Sequence, residues 1–421
     1  MPGAMQSPTT TGIFNTGMFE AALPKQAFGS LIQRLMPNGT APLYTISEHF
    51  ESETAVQWKH GFWTKTMVFP SMTLTANLTN VATVLTVEST ANILPNMLFR
   101  IEDSGEIIMV NQVLSETTVS VTRGIGGGAA AVTIATDNPR LYQAGNAFEE
   151  SSLRPNPLAI SPVYVDNVTQ IFRNTWAVSG SAAEVQVLAG GKIDAENKAD
   201  CAKFHATDIE TALIFGRKSM GYRNGQPFRT MDGLISVINN LEYYPPSYTA
   251  PNVYTAQSAG TDSRMLEDML DPSFNQTTDM ALGNYRMIFA GGHAMRVIND
   301  IARLNGEYKL VDGQTNWGLR FKTLTFARGS FDLIEHQLFN SNQDWSKMAL
   351  SVDIATFKKA YLGSRKTVDK PFTGVNGAGT AVDQGIDAIG GSLLTEMTML
   401  CRNPPANAVI FNLTKGLKDA A

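Results

Sequence analysis

Residues 145–176 read GNAFEESSLRPNPLAISPVYVDNVTQIFRNTW, and this stretch decides the fold. Pro155, Pro157 and Pro162 exclude a helix through its middle, because proline lacks a backbone N–H and clashes with the preceding turn. We therefore predict an extended arm over residues 145–188. Folded back on itself as a hairpin, such an arm reaches roughly 60 Å at about 3.3 Å per residue. A compact body built from the rest of the chain has a radius of gyration of only about 20 Å, so the arm overhangs it.

The arm has too little apolar surface to fold alone, and we predict that a neighbouring copy of the chain buries its apolar side chains. A second aromatic group lies between residues 50 and 69. A stacking platform for sugars or single-stranded nucleic acid is the alternative for these aromatics, but few lysine or arginine residues interleave with them. Large aromatic side chains are enriched at the buried centres of protein interfaces. The candidate intersubunit contacts are Trp58, Phe62, Trp63, Phe148, Ile171, Phe172 and Trp176.

The composition of the chain sets broad limits on its function. Its 421 residues and 43% hydrophobic content are enough for a large core and suggest two or three domains. The formal net charge of −5 argues against a protein that wraps nucleic acid with its own basic surface. Cys201 and Cys401 are the only cysteines in the sequence, so we expect free thiols in a reducing compartment. We expect no secretory signal, because the first residues do not combine a charged region with an apolar stretch. We expect no membrane span, because no apolar run approaches the roughly twenty residues that cross a bilayer.

Residues 71–142 have a residue pattern that differs from the rest of the chain and suggests a separate small module. Short runs in it alternate apolar and polar residues, as half-buried strands do, with turn signals between them. These runs begin at Thr83, Leu98, Glu106 and Thr117. Strands at about ten-residue spacing predict a small β-sandwich or barrel. The glycine-rich run Gly124–Gly128 lacks the Lys-Ser/Thr pair of a phosphate-binding loop, so we interpret it as a flexible hairpin tip.

Residues 192–218 contain the clearest helix signal in the chain. Apolar residues recur there on one face at the helical period. The residues of this face are Ala202, Ala206, Ile209 and Leu213. At 1.5 Å per residue, the predicted rod is about 40 Å long.

The regions on either side of these modules follow different patterns. Residues 1–49 are rich in Thr, Pro, Gly and Ala, which predicts an N-terminal arm with one short helix near residues 27–35. Residues 50–69 alternate aromatic and β-branched residues with polar ones, which predicts strands.

We expect residues 239–257 to form an extended surface loop. The last third mixes strands and helices in an order that indicates an α+β fold. Its predicted helix is 293–304 and its predicted strands are 285–290, 322–327, 331–338, 348–354, 395–401 and 408–413.

No constellation of catalytic or metal-ligating residues emerges from the sequence. Cys201 and His205 lie four residues apart on the predicted helix and could supply half of a zinc site, but no second Cys/His pair completes it. Glu149 and Glu150 are an adjacent carboxylate pair in a turn-rich segment, where solvated surface is the simpler interpretation. We therefore expect no catalytic residue, no metal and no cofactor, and a protein that is not an enzyme.

The order of these parts resembles the major capsid protein of tailed phages, which has the HK-ninety-seven-like fold. Short sequences carry the resemblance: APLY at 41–44, VSVTRG at 119–124, GNAFEE at 145–150, NVTQIF at 167–172 and RTMDGL at 229–234. They look like a phage capsid family whose members have an insertion domain in this place. The resemblance extends from about Ala41 to the end of the chain.

This resemblance implies a division of the α+β fold into named parts. Residues 1–49 would be the N-terminal arm, 50–70 and 143–190 the extended loop and arm, and 71–142 a small all-β insertion domain. Residues 191–230 would be the peripheral domain with a long spine helix. Residues 231–421 would be the axial domain, interleaved with returning peripheral-domain strands.

The same resemblance implies a structural role in a virion. Copies of the chain would assemble in the host cytoplasm into pentamers and hexamers of an icosahedral shell, which encloses packaged double-stranded DNA without sequence-specific binding. Decoration, scaffolding and portal proteins are the further partners that it implies, with no membrane involved. Two alternatives stay open: an encapsulin-like nanocompartment protein built on the same shell fold, and a non-viral binding protein with a β module.

Overall fold

The computed structural model describes most of the chain between Ala41 and Asp419. The described residues are 41–48, 50–65, 69–128, 130–133, 139–184, 193–245, 248, 250–276, 285–305, 311–312, 322–371, 374–375, 381–382 and 388–419. The helix predicted at residues 27–35 lies outside them.

Helices and strands alternate along the described part of the chain in an α+β order. The α-helices are α1 (Pro42–Glu48), α2 (Gly180–Glu184), α3 (Ile193–Phe215), α4 (Leu234–Asn239), α5 (Ser263–Leu270) and α6 (Gly292–Asn305). The first strands are β1 (Glu53–Ala55), β2 (Lys59–Thr64), β3 (Ser71–Thr73), β4 (Val84–Thr86), β5 (Met97–Ile101), β6 (Ile107–Val113), β7 (Thr118–Thr122), β8 (Arg140–Asn146), β9 (Val163–Val168), β10 (Gln170–Ser179), β11 (Ser219–Arg223) and β12 (Gln226–Thr230). The later strands are β13 (Val253–Thr255), β14 (Tyr285–Ala290), β15 (Val311–Asp312), β16 (Lys322–Thr325), β17 (Ser330–Glu335), β18 (Ala349–Val352), β19 (Phe357–Leu362), β20 (Val368–Pro371), β21 (Gly374–Val375), β22 (Ala381–Val382), β23 (Ala388–Cys401) and β24 (Ala408–Phe411).

A seven-stranded mixed sheet forms one part of the body. Its strand order is β13-β24-β18-β14-β17-β16-β15. The central strand β14 runs parallel to β17 and antiparallel to β18, and every residue from Arg286 to Ala290 is buried. A nearly continuous apolar run suits a strand that is covered on both faces. Helix α6 contributes Val297 and Ile301 to the core around Phe331.

A five-stranded sheet and the long helix α3 form the other part of the body. The sheet order is β1-β19-β23-β10, and β20 also pairs with β23. The longest strand, β23, is buried throughout from Gly391 to Cys401 and pairs antiparallel with the whole of β10. Helix α3 packs against β10. Asp194 and Glu196 lie in its first turn, where negative charge complements the helix dipole.

The buried face of α3 differs from the predicted one at its N-terminal half. Ala202 is exposed, and Cys201 and His205 occupy the inward positions instead. The two ring nitrogens of His205 lie 2.6 Å from Asn174 Oδ1 and 2.7 Å from Thr395 Oγ1. A buried polar side chain is tolerated when its hydrogen bonds are made. A search for apolar residues at helical spacing therefore misses the buried face of α3 where it contains His205.

The described residues between 71 and 146 form a closed six-stranded barrel, in the segment where we predict a small β module at residues 71–142. The strand order is β3-β8-β5-β6-β7-β4, and a bridge between Leu74 and Val87 joins the first strand to the last. The barrel has an apolar core of its own, which includes Phe99 and Ile108. Closure removes the free edges through which sheets pair with other chains.

The glycine-rich run after β7, which we predict to be a flexible hairpin tip, is anchored to the barrel at its first residue, Gly124, while residues 126–128 are exposed. The Glu106 carboxylate binds Arg123 through two contacts of 2.7 and 2.6 Å. It also accepts the backbone N–H groups of Gly124 and Ala131. Burial raises the pKa of Glu106, but these donors outweigh it and hold the pKa below its usual value. Glu106 lies seventeen positions before Arg123, so no local sequence pattern predicts this ion pair.

Helix α1 docks on the core, although residues 41–48 fall within the predicted N-terminal arm. Leu43 and Ile46 are fully buried. The Glu210 carboxylate of α3 accepts the backbone N–H of Leu43 at 2.9 Å and of Tyr44 at 2.7 Å, and so caps the first turn of α1. His336 Nε2 lies 2.8 Å from the same carboxylate. Distant parts of the chain therefore meet at one buried side chain.

The segment at residues 239–257 is only in part the surface loop that we predicted. Tyr244 is 8% exposed, and its hydroxyl donates to the carbonyl of Ile238 at 2.8 Å. Burial raises the pKa of this hydroxyl. Asn252 is buried as well, and its backbone N–H donates to the Tyr244 oxygen. The polar groups of the segment are buried because they find partners inside the body.

Candidate assembly surface

The predicted arm is in part a two-stranded ribbon made of β2 and β9. The strands pair antiparallel from Lys59 with Val168 to Thr64 with Val163, and among the described strands the ribbon joins no larger sheet. An isolated pair of strands is marginally stable in water at best. The other part of the predicted arm, β10, belongs to the five-stranded sheet and does not overhang the body.

The far end of the β2–β9 ribbon is apolar and uncovered in the single chain. Trp63 is 68% exposed, and its ring centroid lies 5.1 Å from that of Tyr164, its cross-strand partner. Val163, which pairs with Thr64 at the same end, is 62% exposed. A contiguous exposed patch of this kind marks an interaction site on a soluble protein.

The other end of the ribbon is fixed to the body by polar contacts. Asp166 accepts a hydrogen bond from Lys218 Nζ at 2.7 Å and lies 3.2 Å from Lys59 Nζ. Burial raises the pKa of Asp166, but the two lysines outweigh it and hold the pKa below its usual value. The buried Asn167 amide donates to the carbonyl of Asp232 at 3.1 Å and to a carbonyl of β23 at 2.9 Å. These contacts set the direction in which the ribbon leaves the body.

A buried carboxylate on β23 joins the ribbon base to the β11–β12 hairpin. Glu396 is 1% exposed and lies 3.1 Å from both Arg229 and Arg365. Thr169, between β9 and β10, donates to it from its hydroxyl at 3.0 Å. The Arg229 guanidinium also lies over the Trp58 ring, 5.7 Å from the centroid, in a cation–π contact. Removal of this carboxylate would leave two arginines without their partner.

Most of the predicted contact residues are open on the surface of the single chain. The exposed fractions are 40% for Trp58, 68% for Trp63, 39% for Phe148 and 50% for Ile171. Phe62 is partly buried and lines a cleft between the ribbon and the body. Trp176 is partly buried, with the ammonium of Lys198 5.7 Å from its ring centroid.

Phe172 is the exception, and the structure corrects its predicted role. It is 6% exposed and packs in the main core with Ile209 and Met397. Side chains along a strand alternate between the two faces of a sheet. Ile171 therefore points to the open face of the five-stranded sheet, while Phe172 points to the core within the same subunit.

A second exposed hairpin, β11 with β12, was missed by our sequence reasoning. Asn224 and Gly225 form its turn with φ of 51° and 73°. Positive φ at both positions is the signature of the tight turn that an Asn-Gly pair favours between two strands. This dipeptide was the signal in the sequence that could have located the hairpin.

The described residues contain neither a metal-binding cluster nor a membrane-spanning helix. No three His, Cys, Asp or Glu side chains within the described ranges are placed so as to hold a metal ion. Cys201 and His205 share a helix face, as the sequence suggests, but both ring nitrogens of the histidine are occupied by core partners. No helix in the described part of the chain is long and apolar enough to cross a bilayer.

Comparison over the whole sequence identifies the class of protein. Residues 9–414 match a family model of major capsid proteins, the subunits of viral shells. The family is the SU10 major capsid protein family, and the chain belongs to it. This confirms the resemblance to phage major capsid proteins that the sequence suggested.

A curated relative supports the same membership. The major capsid protein of Pseudomonas phage PaMx41 is 35% identical to the chain over 411 residues, which are 96% of each of the two sequences. Similarity to solved structures is lower. The capsid chain of a native GTA particle gives a TM-score of 0.44 at 8% identity, covering 93% of this chain and 96% of that chain. A chain from Mycobacterium phage Adephagia gives 0.44 at 7% identity, covering 95% and 97%.

Proposed function

We propose that copies of this chain assemble into hexamers and pentamers, and that these close into an icosahedral shell around packaged double-stranded DNA. The observation that carries the proposal is the isolated β2–β9 ribbon, whose aromatic end at Trp63 is uncovered in the single chain. The chain belongs to a family of major capsid proteins, so the partner present in greatest number is another copy of itself.

Burial of the ribbon end by a second copy is energetically favourable. An aromatic side chain buries about 150–250 Å², and Trp63 is 68% and Tyr164 40% exposed in the single chain. At about 25 cal/mol per Å², burial of the exposed area contributes roughly 3 kcal/mol for Trp63 and roughly 2 kcal/mol for Tyr164 before the cost of ordering the interface. Trp63 and Tyr164 already touch, so little side-chain freedom remains to be lost. The polar anchors at Asp166 and Asn167 hold the ribbon in one direction, which lowers the entropic cost further.

The two sheets of the body correspond to two domains in this proposal. The five-stranded sheet with α3 as the spine forms the peripheral domain. The seven-stranded sheet forms the axial domain, whose loops meet at the five-fold and six-fold centres. The closed barrel of residues 71–146 projects from the outer surface, where it braces neighbours or receives a decoration protein. Scaffolding and portal proteins complete the set of proposed partners.

The proposed role is structural and not enzymatic. The net charge of −5 suits a wall that encloses DNA without binding it tightly, because like charges on the wall and the phosphates repel. Membership of a phage capsid family favours this role over an encapsulin-like nanocompartment or a non-viral β-module protein. Assembly would take place in the cytoplasm of the host.

The ribbon contact can be tested with Trp63→Ser and a matched control, Tyr142→Ser. Tyr142 is 47% exposed and lies on the barrel, so it offers an exposed aromatic away from the ribbon. We expect the unaltered chain and Tyr142→Ser to form particles, and Trp63→Ser to remain as 45.7 kDa subunits or small capsomers. Sedimentation velocity and negative-stain microscopy measure this directly. Normal particles from Trp63→Ser would show that the ribbon end does not hold copies together.

A further inference from the structure

The β11–β12 hairpin, here called the basic hairpin (residues 219–230), stands clear of the body. Every residue of β11 is exposed, and among the described strands its only pairing is with β12. Met220 is 56% exposed, Tyr222 is 83% exposed and Phe228 is 45% exposed. Two strands with both outer edges unpaired and apolar side chains in water gain little stability by themselves. The basic hairpin therefore has the features of a contact element.

The base of the basic hairpin is rigid, so the element is held in place before it meets a partner. Gly233 N–H donates to the Gly216 carbonyl at 3.0 Å, and a Cβ on Gly216 would lie only 2.5 Å from the Ala212 oxygen. The Thr230 hydroxyl donates to the carbonyl of Arg217 at 2.7 Å. Two glycines thus allow the chain to pass closely over the end of α3. Preorganisation of this kind reduces the entropy lost on binding.

The charge of the basic hairpin has one sign. The hairpin and the two residues before it, Arg217 and Lys218, together contain four cations and neither Asp nor Glu, in a chain whose net charge is −5. Lys218 and Arg229 are neutralised within the chain by Asp166 and Glu396. Arg217 and Arg223 have no ion-pair partner among the residues that the structure describes. Arg223 lies beside the turn, next to the most exposed aromatic residue of the hairpin.

The chain also carries a surface with the opposite properties, here called the acidic turn (residues 147–153). It reads AFEESSL, with two adjacent exposed glutamates, and it ends immediately before Arg154. Phe148 is 39% exposed and Leu153 is 91% exposed, and both glutamates between them are exposed. The acidic turn is attached to the barrel by the Ala147 N–H, which donates to the Asn96 carbonyl at 3.0 Å. The Ser152 N–H donates to the Glu149 carbonyl at 3.2 Å and closes the turn.

We propose that the basic hairpin of one copy binds the acidic turn of a second copy. Tyr222 packs against Phe148 and Leu153 on one face of the hairpin. Arg223 lies on the opposite face beside the turn, and its long side chain reaches around the end of the hairpin to the two glutamates. Tyr222 is 83% exposed and Leu153 is 91% exposed, so the hairpin and the acidic turn of one chain do not cover each other. The inference rests on the proposed function, because it adds a second contact to the same assembly.

The basic hairpin is also continuous with the ribbon that the proposed function places between copies. Met220, Tyr222 and Arg229 lie on the same face of the hairpin by strand alternation. The guanidinium of Arg229 covers the Trp58 ring beside the ribbon base. One copy therefore presents a connected surface that runs from the ribbon to the hairpin turn.

A second copy suits this surface better than the enclosed DNA does. Affinity for nucleic acid depends on many phosphate contacts, and Arg217 and Arg223 are only two cations. Tyr222, which is 83% exposed, is adjacent to Arg223, and the same chain supplies a surface with apolar residues and carboxylates. Charge complementarity across an interface fixes its register and excludes wrong contacts.

Disulfide trapping in assembled particles tests the contact directly. The full chain carries Tyr222→Cys together with Phe148→Cys, and the native Cys201 and Cys401 are buried. We expect mild oxidation of the particles to give a ladder of covalent multimers on a non-reducing gel. The control pairs Tyr222→Cys with Leu304→Cys, at a residue 48% exposed on α6, and should give no ladder. Particles that give no ladder with the test pair, or an equal ladder with the control pair, overturn the proposal.

Charge exchange supplies a second measurement that does not depend on cysteine chemistry. Arg223→Glu should lower the particle fraction about fivefold, because it faces like charges across the contact. Glu149→Arg with Glu150→Arg, added to Arg223→Glu, should restore it. An undiminished particle fraction from Arg223→Glu, or no restoration, overturns the contact. Failure of the unaltered chain to form particles would instead contradict the proposed function, so the two failures are distinguishable.

Discussion

At the residue scale, Glu210 links parts of the chain that lie far apart in the sequence. Its carboxylate caps α1 through the N–H groups of Leu43 and Tyr44, 167 and 166 positions away. It also lies 2.8 Å from His336 Nε2, and the His336 ring stacks on Phe339 with centroids 4.2 Å apart. A negative charge at a helix N-terminus is stabilised by the unpaired backbone N–H groups there. The position of α1 therefore depends on one side chain of α3.

Glu210→Ala should destabilise the subunit strongly. The change leaves two backbone donors buried without an acceptor, at a cost of ~1–3 kcal/mol for each. We expect the free energy of unfolding to fall by about 3 kcal/mol, measured by urea denaturation in the Trp63→Ser background, where assembly does not interfere. The control is Glu242→Ala, at an exposed position, with an expected change within about 0.5 kcal/mol. Equal effects of the two substitutions would contradict the capping role.

A second residue-scale cluster surrounds Glu48 at the end of α1. Its carboxylate accepts hydrogen bonds from Lys359 and from the Tyr361 hydroxyl, and it lies 3.1 Å from Lys366 Nζ. Burial raises the pKa of Glu48, but these donors outweigh it and lower the pKa to about 2. Burial lowers the pKa of Lys359 to about 8, although Glu48 opposes the shift. The cluster is therefore charged at neutral pH.

The Glu48 cluster predicts a definite dependence of stability on pH. A carboxyl group with a pKa of 4.5 when unfolded and about 2 when folded stabilises the fold fully above pH 4.5. That stabilisation is lost as the pH falls through the folded value. Glu48→Gln should therefore reduce the decline of the thermal midpoint between pH 4.5 and about 2, compared with the parent chain. Glu116→Gln, on the exposed surface of the barrel, should retain the parent profile. Parallel profiles for Glu48→Gln and the parent would refute this assignment.

At the element scale, the barrel of residues 71–146 is the most independent part of the chain. Its core cluster is separate from the two clusters of the body, and the Leu74–Val87 bridge closes its sheet. It leaves the body between β2 and β9, the strands of the ribbon. A module with its own core and no open edge can fold without the rest of the chain.

Excision of residues 71–146, with a short Gly-Ser linker in their place, should leave a soluble folded body. The excised barrel, expressed alone, should unfold in a single cooperative transition because its core is complete. The shortened chain should give particles of lower thermal stability, or particles that no longer bind accessory proteins. Circular dichroism and electron microscopy provide the two measurements. Complete loss of soluble protein from the shortened chain would show that the barrel is part of the body's folding unit.

Local sequence patterns predict some of the helices and strands correctly and miss others. The barrel strands, α3 and α6 are confirmed because each repeats its pattern over several turns or residues. The Asn224-Gly225 hairpin was overlooked although its signal is local. The anchor of the glycine-rich run at Gly124 has no local signal in the sequence, because it is the carboxylate of Glu106, just before β6.

At the scale of the whole molecule, the described residues combine two packed sheets with projecting elements that are exposed in the single chain. The ribbon end at Trp63 and the basic hairpin are exposed, while β14 and β23 are deeply buried. The chain belongs to the SU10 major capsid protein family. A body with complete cores and incomplete projections is the form expected of a subunit that is stable alone and finishes its packing with neighbours.

The sequence by itself determined the α+β order, the extended ribbon, the barrel strands and the long helix, because periodicity and turn residues act over a few neighbouring positions. It also carried the resemblance to capsid proteins. Only the tertiary structure decided that Phe172 faces the core while Ile171 faces outward, that Glu210 caps α1, and that the barrel closes. Each of these depends on contacts between residues distant in the chain. A local pattern gives the period of a strand or helix, but its packing partners decide which face is buried and where a buried charge finds its hydrogen bonds.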